Sequence, residues 1–414
     1  MNARPKPVSP AAARPLPLLG LLLTLFVLAG CGGGGGTTNP ASGKTRGEVI
    51  RYRQVAAYSK AQINAALTLA GQPDLAPVPY AVAVYEVVYA TPDVRGAISQ
   101  ASGMVAVPRE ASGARPLVAY FHGTQTLRTD VPSNPKNQEG QGTTFLFASA
   151  GYVVACPDYL GLGQSPGRQT FEQAAPLASC NVDMLRAARH VAEAVSVGLN
   201  GQLFLCGYSE GGYATLATQR ALEADYANEF TVTASAPMAG PYDLSGTMFA
   251  AVFDPNTAAK TPLYIAGILL AFNDAYSLYQ NPSEVFAAPY DSRVAGLFDG
   301  THTGDAVSAG LASTAEALLR PEFAQALRAD ANHPLRAALR ANDVYDFRPV
   351  APVRLFHGKA DRNVPFANAE VAQQRLTQRG GSVELVNVGD TLDHETAVVP
   401  SFVGARRFFD TFAR

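Results

Sequence analysis

A serine between glycines is the residue in this sequence around which chemistry can be built. Ser209 is the centre of a Gly-x-Ser-x-Gly pattern at residues 207–211, with an apolar run before it and a helix-forming stretch after it. Such a pattern between a strand and a helix is typical of a sharp turn that exposes a nucleophilic hydroxyl. The positive end of the following helix would face the negative charge that develops there. We therefore predict that Ser209 is a nucleophile.

A serine hydroxyl reacts readily only when a neighbouring base takes its proton and a carboxylate orients that base. The chain has six histidines, so each can be weighed as the base. Three of them lie away from predicted strand ends: His190, His302 and His333. The other three each follow a predicted strand and remain candidates: His122, His357 and His394.

Asp361 is the first candidate for the orienting carboxylate, because it stands in the loop that directly follows an apolar run at residues 353–356. An Asp in such a loop can equally serve as a turn residue. Asp390 is the fallback. Asp393 adjoins a candidate base and would point away from it in an extended backbone, and Asp243 is a weaker third choice.

The elements that would position these residues alternate between strands and helices, which predicts an α/β fold. Apolar runs that are mostly continuous indicate strands buried on both faces, as in a parallel sheet. Eight strands are predicted, at residues 82–89, 97–107, 116–121, 152–156, 203–206, 232–236, 353–356 and 383–388. Helices are predicted at residues 49–69, 143–150, 181–197, 211–226, 366–379 and 398–412. We expect a mostly parallel sheet with helices on both faces and an antiparallel first pair of strands.

Residues 241–348, here called the insertion, interrupt this alternation with helical signals and no clear strand. The insertion leaves the core, predicted at residues 46–240 and 349–414, at the end of a strand. Ligands of open α/β sheets bind beyond the carboxyl ends of the strands, so we expect a helical cap over that edge. A packing subdomain remote from the site is the alternative.

The combined pattern resembles an α/β-hydrolase and, within that superfamily, the secretory lipases. The resemblance is carried by the long insertion and by three motifs, at residues 157–163, 207–212 and 356–361. It implies hydrolysis of carboxylic esters without a cofactor. The nucleophile, acid and base of this fold follow one another in that order along the chain, which assigns Ser209, Asp361 and His394.

The same resemblance implies an oxyanion hole of two backbone amides. One belongs to Glu210, directly after the nucleophile, and the other to the loop after the third strand. We expect the Thr124 amide there, with Gly123 as the next choice. His122 would then support this loop, and we expect the Glu210 side chain to face solvent or the pocket without a chemical role.

The N-terminus reads as a targeting segment, with a basic stretch at residues 4–14 and an apolar stretch at residues 16–28 that is short for a membrane span. Residues 28–31 resemble a bacterial lipobox, which implies cleavage before Cys31 and lipidation of that cysteine. A plain signal peptide cut near residue 30 is the alternative. We predict a lipoprotein signal peptide at residues 1–30 and a Gly-rich tether at residues 31–45, with Gly32 favouring anchorage at the outer membrane.

Composition limits the other function classes. The 414 residues are 47% hydrophobic and 16% charged, and the net charge of -2 gives no reason to expect nucleic-acid binding. No metal-ligand spacing of the CxxC or HExxH type is present, so no metal is expected. A Cys156–Cys180 disulfide is left open by the sequence, and Cys206 is expected to be a buried core residue. We expect a monomer.

Together these features predict a serine hydrolase of hydrophobic acyl esters, with the apolar segment 262–279 as a wall of the acyl pocket. The resemblance to lipases does not assign individual substrate-binding residues. A peptidase of the same fold is the first alternative, although no carboxylate for holding a free amine is evident. A binding lipoprotein that has lost catalysis is the second alternative, against which the complete triad argues.

Overall fold

A computed structural model describes residues 40–254, 256 and 260–414 of the chain. Its centre is a sheet of nine strands: β1 Val49–Tyr58, β2 Val82–Pro92, β3 Ile98–Pro108, β4 Arg115–Phe121, β5 Val153–Pro157, β6 Leu199–Tyr208, β7 Val232–Met238, β8 Val353–Gly358 and β9 Val383–Gly389. The strands lie side by side in the order β1-β2-β3-β5-β4-β6-β7-β8-β9. All eight predicted strands are therefore present, with bounds that differ by a few residues.

Strand direction follows the prediction of a mostly parallel sheet. The pairs β1/β2, β2/β3 and β3/β5 are antiparallel. The remaining five pairs, from β5/β4 through to β8/β9, are parallel. Because β4, β6, β8 and β9 all run in the same direction, the loops that follow them meet at one edge of the sheet.

The predicted helix at residues 49–69 is wrong in its first half, and the sheet has nine strands rather than eight. Val49–Tyr58 forms the edge strand β1, and only Lys60–Leu69 (α1) is helical. Most of β1 is exposed or half-exposed, so its sequence lacks the apolar run of a buried strand. The strand is held by its pairing with β2. Arg51 and Arg53 of β1 also form ion pairs with Glu86 of β2.

The other helices are α2 Gln138–Phe147, α3 Ala174–Ala194, α4 Glu210–Asp225, α5 Phe249–Val252, α6 Thr261–Tyr276, α7 Val294–Leu297, α8 Gly304–Gly310, α9 Ala315–Leu318, α10 Pro321–Ala329, α11 Pro334–Ala341, α12 Ala367–Gln378 and α13 Val398–Asp410. Helix α3 begins seven residues before its predicted start, with a proline in its first turn, where the missing N–H costs little.

Helices cover both faces of the sheet, as predicted. Helices α3, α4 and α12 pack on one face, and α1, α2 and α13 pack on the other. Alternate residues of β6 contribute to the two cores: Leu203 and Leu205 join the first, and Phe204 and Cys206 the second. A strand buried on both sides gives the continuous apolar run from which it was predicted.

Between β7 and β8, the described residues of the insertion form helices α5 to α11, several short helical turns and one isolated bridge between Phe286 and Leu319. The apolar helix α6 buries its side chains against the main core. It packs against α8, α9 and α11 of the insertion.

All three described cysteines are buried free thiols, so the disulfide left open by the sequence, Cys156–Cys180, is not formed in this structure. In the part of the chain that the structure describes, no helix is long and apolar enough to cross a membrane. The predicted signal peptide, Cys31 and most of the tether lie outside the described residues.

Candidate active site

Ser209 lies at the tight turn between β6 and α4. The strand ends at Tyr208 and the helix begins at Glu210, so Ser209 is the single residue between them. Its φ of 60° and ψ of −121° are unfavourable for a residue with a side chain. The turn is held by the Ser209 amide, which donates to the carbonyl of Met238 on β7 at 2.9 Å. The Ser209 side chain is thereby held clear of the sheet.

The glycines on either side of this turn are required by the close approach of backbones. A Cβ atom on Gly211 would overlap with the carbonyl oxygen of Phe121 at the end of β4. A Cβ atom on Gly207 would overlap with the carbonyl oxygen of Gly211 and lie 2.5 Å from that of Phe121. The pattern that identified Ser209 is therefore a packing requirement of the strand–turn–helix junction.

The structure brings Ser209, His394 and Asp361 together, although 185 residues separate the serine from the histidine. His394 Nε2 lies 2.9 Å from Ser209 Oγ, and His394 Nδ1 lies 2.6 Å from Asp361 Oδ2. An ionised carboxylate only accepts, so Nδ1–H donates to Asp361 and Nε2 accepts the proton of the serine hydroxyl. This tautomer is the one a general base needs.

Asp361 is fixed by a network that occupies both of its oxygens. Its Oδ1 accepts from the amides of Asn363 and Val364, each at 2.9 Å. Its Oδ2 also lies 3.1 Å from Nε2 of the buried His357, which donates in addition to the Val364 carbonyl. Burial acts to raise the pKa of Asp361, but the hydrogen bonds and charges of His357 and His394 outweigh it and lower the pKa to about 2.

The other candidate acids are engaged elsewhere. Asp390 accepts from the Asn387 side chain, and Asp393 accepts from the backbone and hydroxyl of Thr396. Asp243 caps the helical turn Leu244–Met248. Among the described residues, Asp361 is the carboxylate that contacts His394.

The loop after β4 places backbone amides beside Ser209. The Gly123 amide donates to Glu139 Oε1 at 2.9 Å, and Tyr120 donates to the same oxygen, so the second-choice oxyanion donor is already occupied. No acceptor is found within the described chain for the amides of Thr124 or Glu210. These are the two amides predicted for the oxyanion hole.

His122 belongs to the backbone support of this loop. It is buried, its ring nitrogens lie 2.7 Å and 3.2 Å from the carbonyls of Gly123 and Asp158, and it stacks on Tyr159. Tyr159 in turn donates to the carbonyl of His122 at 3.0 Å. These contacts fit the supporting role expected for His122.

The Glu210 side chain differs from the expectation that it faces solvent or the pocket. It is buried beneath the loops, with both oxygens 3.1 Å from Nε2 of Gln169. Burial is the main cause that raises its pKa, to about 8, against the opposing hydrogen bonds from Gln169 and Thr124. A carboxyl of this kind carries a proton at neutral pH.

A cavity that is partly open to solvent leads to Ser209. Its walls come from both the core and the insertion, and most of the side chains are apolar. Those of the insertion include Met248, Phe249, Val252, Phe253, Ile265 and Ile268. Thr124, Glu172 and Asn363 add polar groups from the core. An apolar cavity with few polar groups at a nucleophile is typical of an enzyme that binds a small apolar ligand.

Sequence reasoning missed several residues that shape this site. Tyr208 donates to the carbonyl of His394 at 2.6 Å, and His357 contacts Asp361. Glu139 accepts from the Gly123 amide in the loop after β4, and Gln169 donates to the Glu210 side chain. His357 follows a predicted strand and was a candidate base, but nothing in its sequence context connects it with Asp361. Glu139 and Gln169 lie in stretches without a recognisable motif, so no signal pointed to them.

A hydroxyl, an imidazole and a carboxylate in a row can transfer an acyl group to the serine. Two nearby amides that have no acceptor among the described residues could stabilise the negative oxygen that forms. The nucleophile sits on a strand–helix turn of a mostly parallel sheet, and the acid and base follow later strands. This fold and arrangement define an α/β-hydrolase.

Residues 143–406 match the secretory lipase family. Because the match spans more than half of the chain, the protein belongs to that family. It is accordingly a hydrolase that acts on esters, and membership of a family of secretory lipases suggests an exported protein. The sequence matches none of the curated proteins.

Solved structures extend this similarity over almost the whole described chain. A Legionella pneumophila protein provisionally named a hydrolase is 31% identical, with a TM-score of 0.82 over 88% of this chain and 98% of that one. The rice cell wall degrading esterase LipA from Xanthomonas oryzae is 29% identical, with a TM-score of 0.80 over 88% and 98%. Candida antarctica lipase A shares the fold at 18% identity, with a TM-score of 0.64 over 89% and 87%.

Proposed function

We propose that this protein is a serine carboxylesterase or lipase that cleaves hydrophobic acyl esters through a Ser209–His394–Asp361 triad and an acyl-enzyme. The observation that carries the proposal is the continuous hydrogen-bond chain from Ser209 Oγ through His394 to Asp361, beside an apolar cavity. The geometry matches what a serine nucleophile requires of its base and its acid.

In the proposed mechanism, Ser209 attacks the ester carbonyl while His394 Nε2 takes its proton. Asp361 holds the imidazole in the required tautomer and stabilises its charged form. The Thr124 and Glu210 amides donate to the oxyanion, aided by the positive end of α4. His394 then protonates the leaving alcohol, and a water molecule activated by the same histidine releases the acid.

The cavity supports a hydrophobic acyl group as the substrate. Helix α6 supplies Tyr264, Ile265 and Ile268 to its wall, from the segment that the sequence suggested as an acyl-pocket wall. Each buried methylene of an acyl chain would contribute about 0.8 kcal/mol, which favours longer chains until the cavity is full. In this proposal the insertion acts as a cap that encloses the acyl chain.

The decisive experiment compares the wild type with Ser209→Ala on p-nitrophenyl esters of rising acyl length. We expect Ser209→Ala to lose at least about 10⁴-fold in kcat, because the acyl-enzyme cannot form, and to keep the wild-type unfolding transition. Labelling by a fluorophosphonate should mark the wild type and spare the variant. Ester turnover by Ser209→Ala near the wild-type rate would exclude this serine as the nucleophile.

A triglyceride emulsion and an aminoacyl anilide complete the same panel. Turnover of the emulsion beside the soluble esters would assign lipase activity, and turnover of soluble esters alone would assign esterase activity. Preference for the anilide would instead favour the peptidase alternative. Intact protein that the fluorophosphonate does not label would favour a binding lipoprotein.

For its location, we propose that the mature protein begins at Cys31, carries a lipid there and is anchored at the bacterial envelope, in the outer membrane. The support is the sequence of residues 1–32, in which an apolar stretch ends at a small-residue site followed by cysteine and glycine. Residues 31–45 would then tether the enzyme to the membrane.

A further inference from the structure

The wall of the active-site cavity contains an acidic side chain that the proposed mechanism does not use. Glu172 lies in the loop before α3 and lines the cavity together with Ser209 and Thr124. It is 3% exposed, and its Oε2 atom has no hydrogen-bond partner among the described residues. An unpaired buried polar atom costs about 1–3 kcal/mol, so one that belongs to a residue of the cavity wall points to a partner that arrives with the ligand.

The backbone around Glu172 is held firmly. Tyr213 donates to the Glu172 carbonyl at 2.9 Å, and Gln173 donates from its side chain to the carbonyl of Ala271 on α6 at 2.7 Å. The Ala174 amide donates to Asn342 of the insertion at 3.0 Å. These contacts fix the backbone from which the Glu172 side chain extends.

The carboxyl is a hydrogen-bonding group rather than a fixed charge. Burial is the main cause that raises the pKa of Glu172 well above its ordinary range. A protonated carboxyl has one O–H donor and can also accept. A neutral hydroxyl, which donates and accepts in the same way, is its natural partner in an apolar cavity.

We propose that Glu172 is a specificity-determining residue whose carboxyl hydrogen-bonds a hydroxyl group on the acyl chain of the substrate, so that hydroxylated acyl esters are preferred over plain ones. This inference rests on the proposed ester hydrolysis at Ser209. The alkyl part of such a chain contacts the apolar wall, and its hydroxyl meets the unpaired oxygen. A plain chain leaves the carboxyl without a partner, and this cost is the source of the discrimination.

The test uses methyl hydroxydecanoates that differ in the position of the hydroxyl, with methyl decanoate as the plain ester. In the wild type we expect one or two positional isomers to exceed methyl decanoate in kcat/KM by about ten-fold, the value of one buried hydrogen bond. In Glu172→Leu the kcat/KM of these isomers divided by that of methyl decanoate should fall to about one. Methyl decanoate should be hydrolysed faster by this variant than by the wild type. Glu172→Gln keeps a donor and an acceptor and should retain most of the preference.

Glu172→Ala gives the same readout as Glu172→Leu without added bulk, should the leucine variant fail to fold. Glu316→Leu, at an exposed position of α9 in the insertion, is the matched control and should keep the wild-type ratio. Because the ratio compares two substrates on one variant, a general loss of activity does not imitate the effect.

Three results would overturn the inference. The wild type could hydrolyse methyl decanoate yet prefer no hydroxylated isomer, or the preference could survive in both Glu172→Leu and Glu172→Ala. The third is that a methyl aminodecanoate, which carries an ammonium group, is preferred over every hydroxy ester; that outcome makes Glu172 a charged anchor for an amine. A wild type inactive on all esters would instead refute the proposed function itself, and this inference with it.

Discussion

Two buried carboxyls beside Ser209 ionise in opposite ways, and their surroundings explain why. Asp361 accepts from two backbone amides and two imidazoles, and its pKa is lowered to about 2. Glu210 is buried with only an amide and a hydroxyl as donors, and its pKa is raised to about 8. The first carboxyl is therefore charged, as the proposed orienting acid must be, while the second is neutral beside the proposed nucleophile. A neutral Glu210 places no negative charge beside the proposed oxyanion hole.

This difference predicts a pH-dependent gain in stability for Glu210→Gln. Below the ordinary pKa of 4.5 the carboxyl is protonated in both the folded and the unfolded chain. Between 4.5 and about 8 the unfolded chain loses the proton and the folded chain keeps it, so wild-type stability falls as pH rises. Glutamine does not ionise, so the stability of Glu210→Gln does not fall for this reason. The free energy of unfolding of Glu210→Gln minus that of the wild type should therefore grow by about 2 kcal/mol or more over this range.

Urea unfolding at a series of pH values measures this difference, and the changed hydrogen bonds of the glutamine add an offset that does not vary with pH. Glu193→Gln, at an exposed position of α3, is the control and should follow the wild type throughout. A difference for Glu210→Gln that is constant or shrinks with rising pH would show that Glu210 is ionised in the folded protein.

At the residue scale, the sequence predicted the residues that follow strands and missed those whose role depends on burial. Ser209, Asp361 and His394 each stand just after a strand, so their meeting at one edge of the sheet could be predicted. The roles of Glu172 and His357 could not, because an unpaired oxygen or a second contact to an acid exists only once distant segments pack together.

Among the elements, the strand–turn–helix junction at Ser209 requires glycine at residues 207 and 211, because a side chain there would overlap with neighbouring backbone. The structure predicts that Gly211→Ala is destabilising by about 3 kcal/mol and lowers activity, because the added methyl group overlaps with the Phe121 carbonyl. Relief of the overlap would require β4 and α4 to separate, and β4 leads into the Thr124 loop.

Gly142→Ala provides the matched control within helix α2. Its added methyl group meets nothing within 4 Å, and a helical alanine is favoured over glycine by up to about 1 kcal/mol. Urea unfolding and ester turnover of both variants test the prediction. A Gly211→Ala protein with wild-type stability and turnover would show that the junction can adapt without displacing the site.

Strands that are buried could be predicted from their own apolar residues, whereas an exposed edge strand could not. The central strand β6 has apolar side chains on both faces, and its continuous run identifies it. The edge strand β1 has no buried residue and contains arginines that pair with Glu86 on β2, so its conformation depends on the neighbouring strand. Helix α1 begins only one residue after β1 ends, and the predicted helix was extended backward over the strand.

On the scale of the whole molecule, the triad and the cavity come from different parts of the chain. The core carries Ser209, Asp361 and His394 on loops after rigid strands, whereas the insertion supplies most of the cavity wall. The family match at residues 143–406 includes all of these elements, while β1 to β4 precede it. Thr124 lies in that preceding part, outside the residues that the family match covers. Substitutions in the insertion can therefore alter most of the cavity wall without replacing a residue of the proposed triad.

The predicted lipid anchor and the candidate active site also lie in different parts of the chain, so we expect anchorage and catalysis to be independent. Cys31 precedes the first described residue by nine positions, and the cavity, the proposed triad and the proposed oxyanion amides all lie beyond residue 120. We expect Cys31→Ser to lack the lipid, because the thiol that would carry it is replaced by a hydroxyl. Its kcat/KM for a soluble p-nitrophenyl ester should stay within about two-fold of the wild type, since no group of the site is altered. Palmitate labelling and ester kinetics on the same preparations check both halves. A lipid-modified Cys31→Ser product would refute the lipobox, and a soluble variant with strongly reduced turnover would show that the anchor contributes to catalysis.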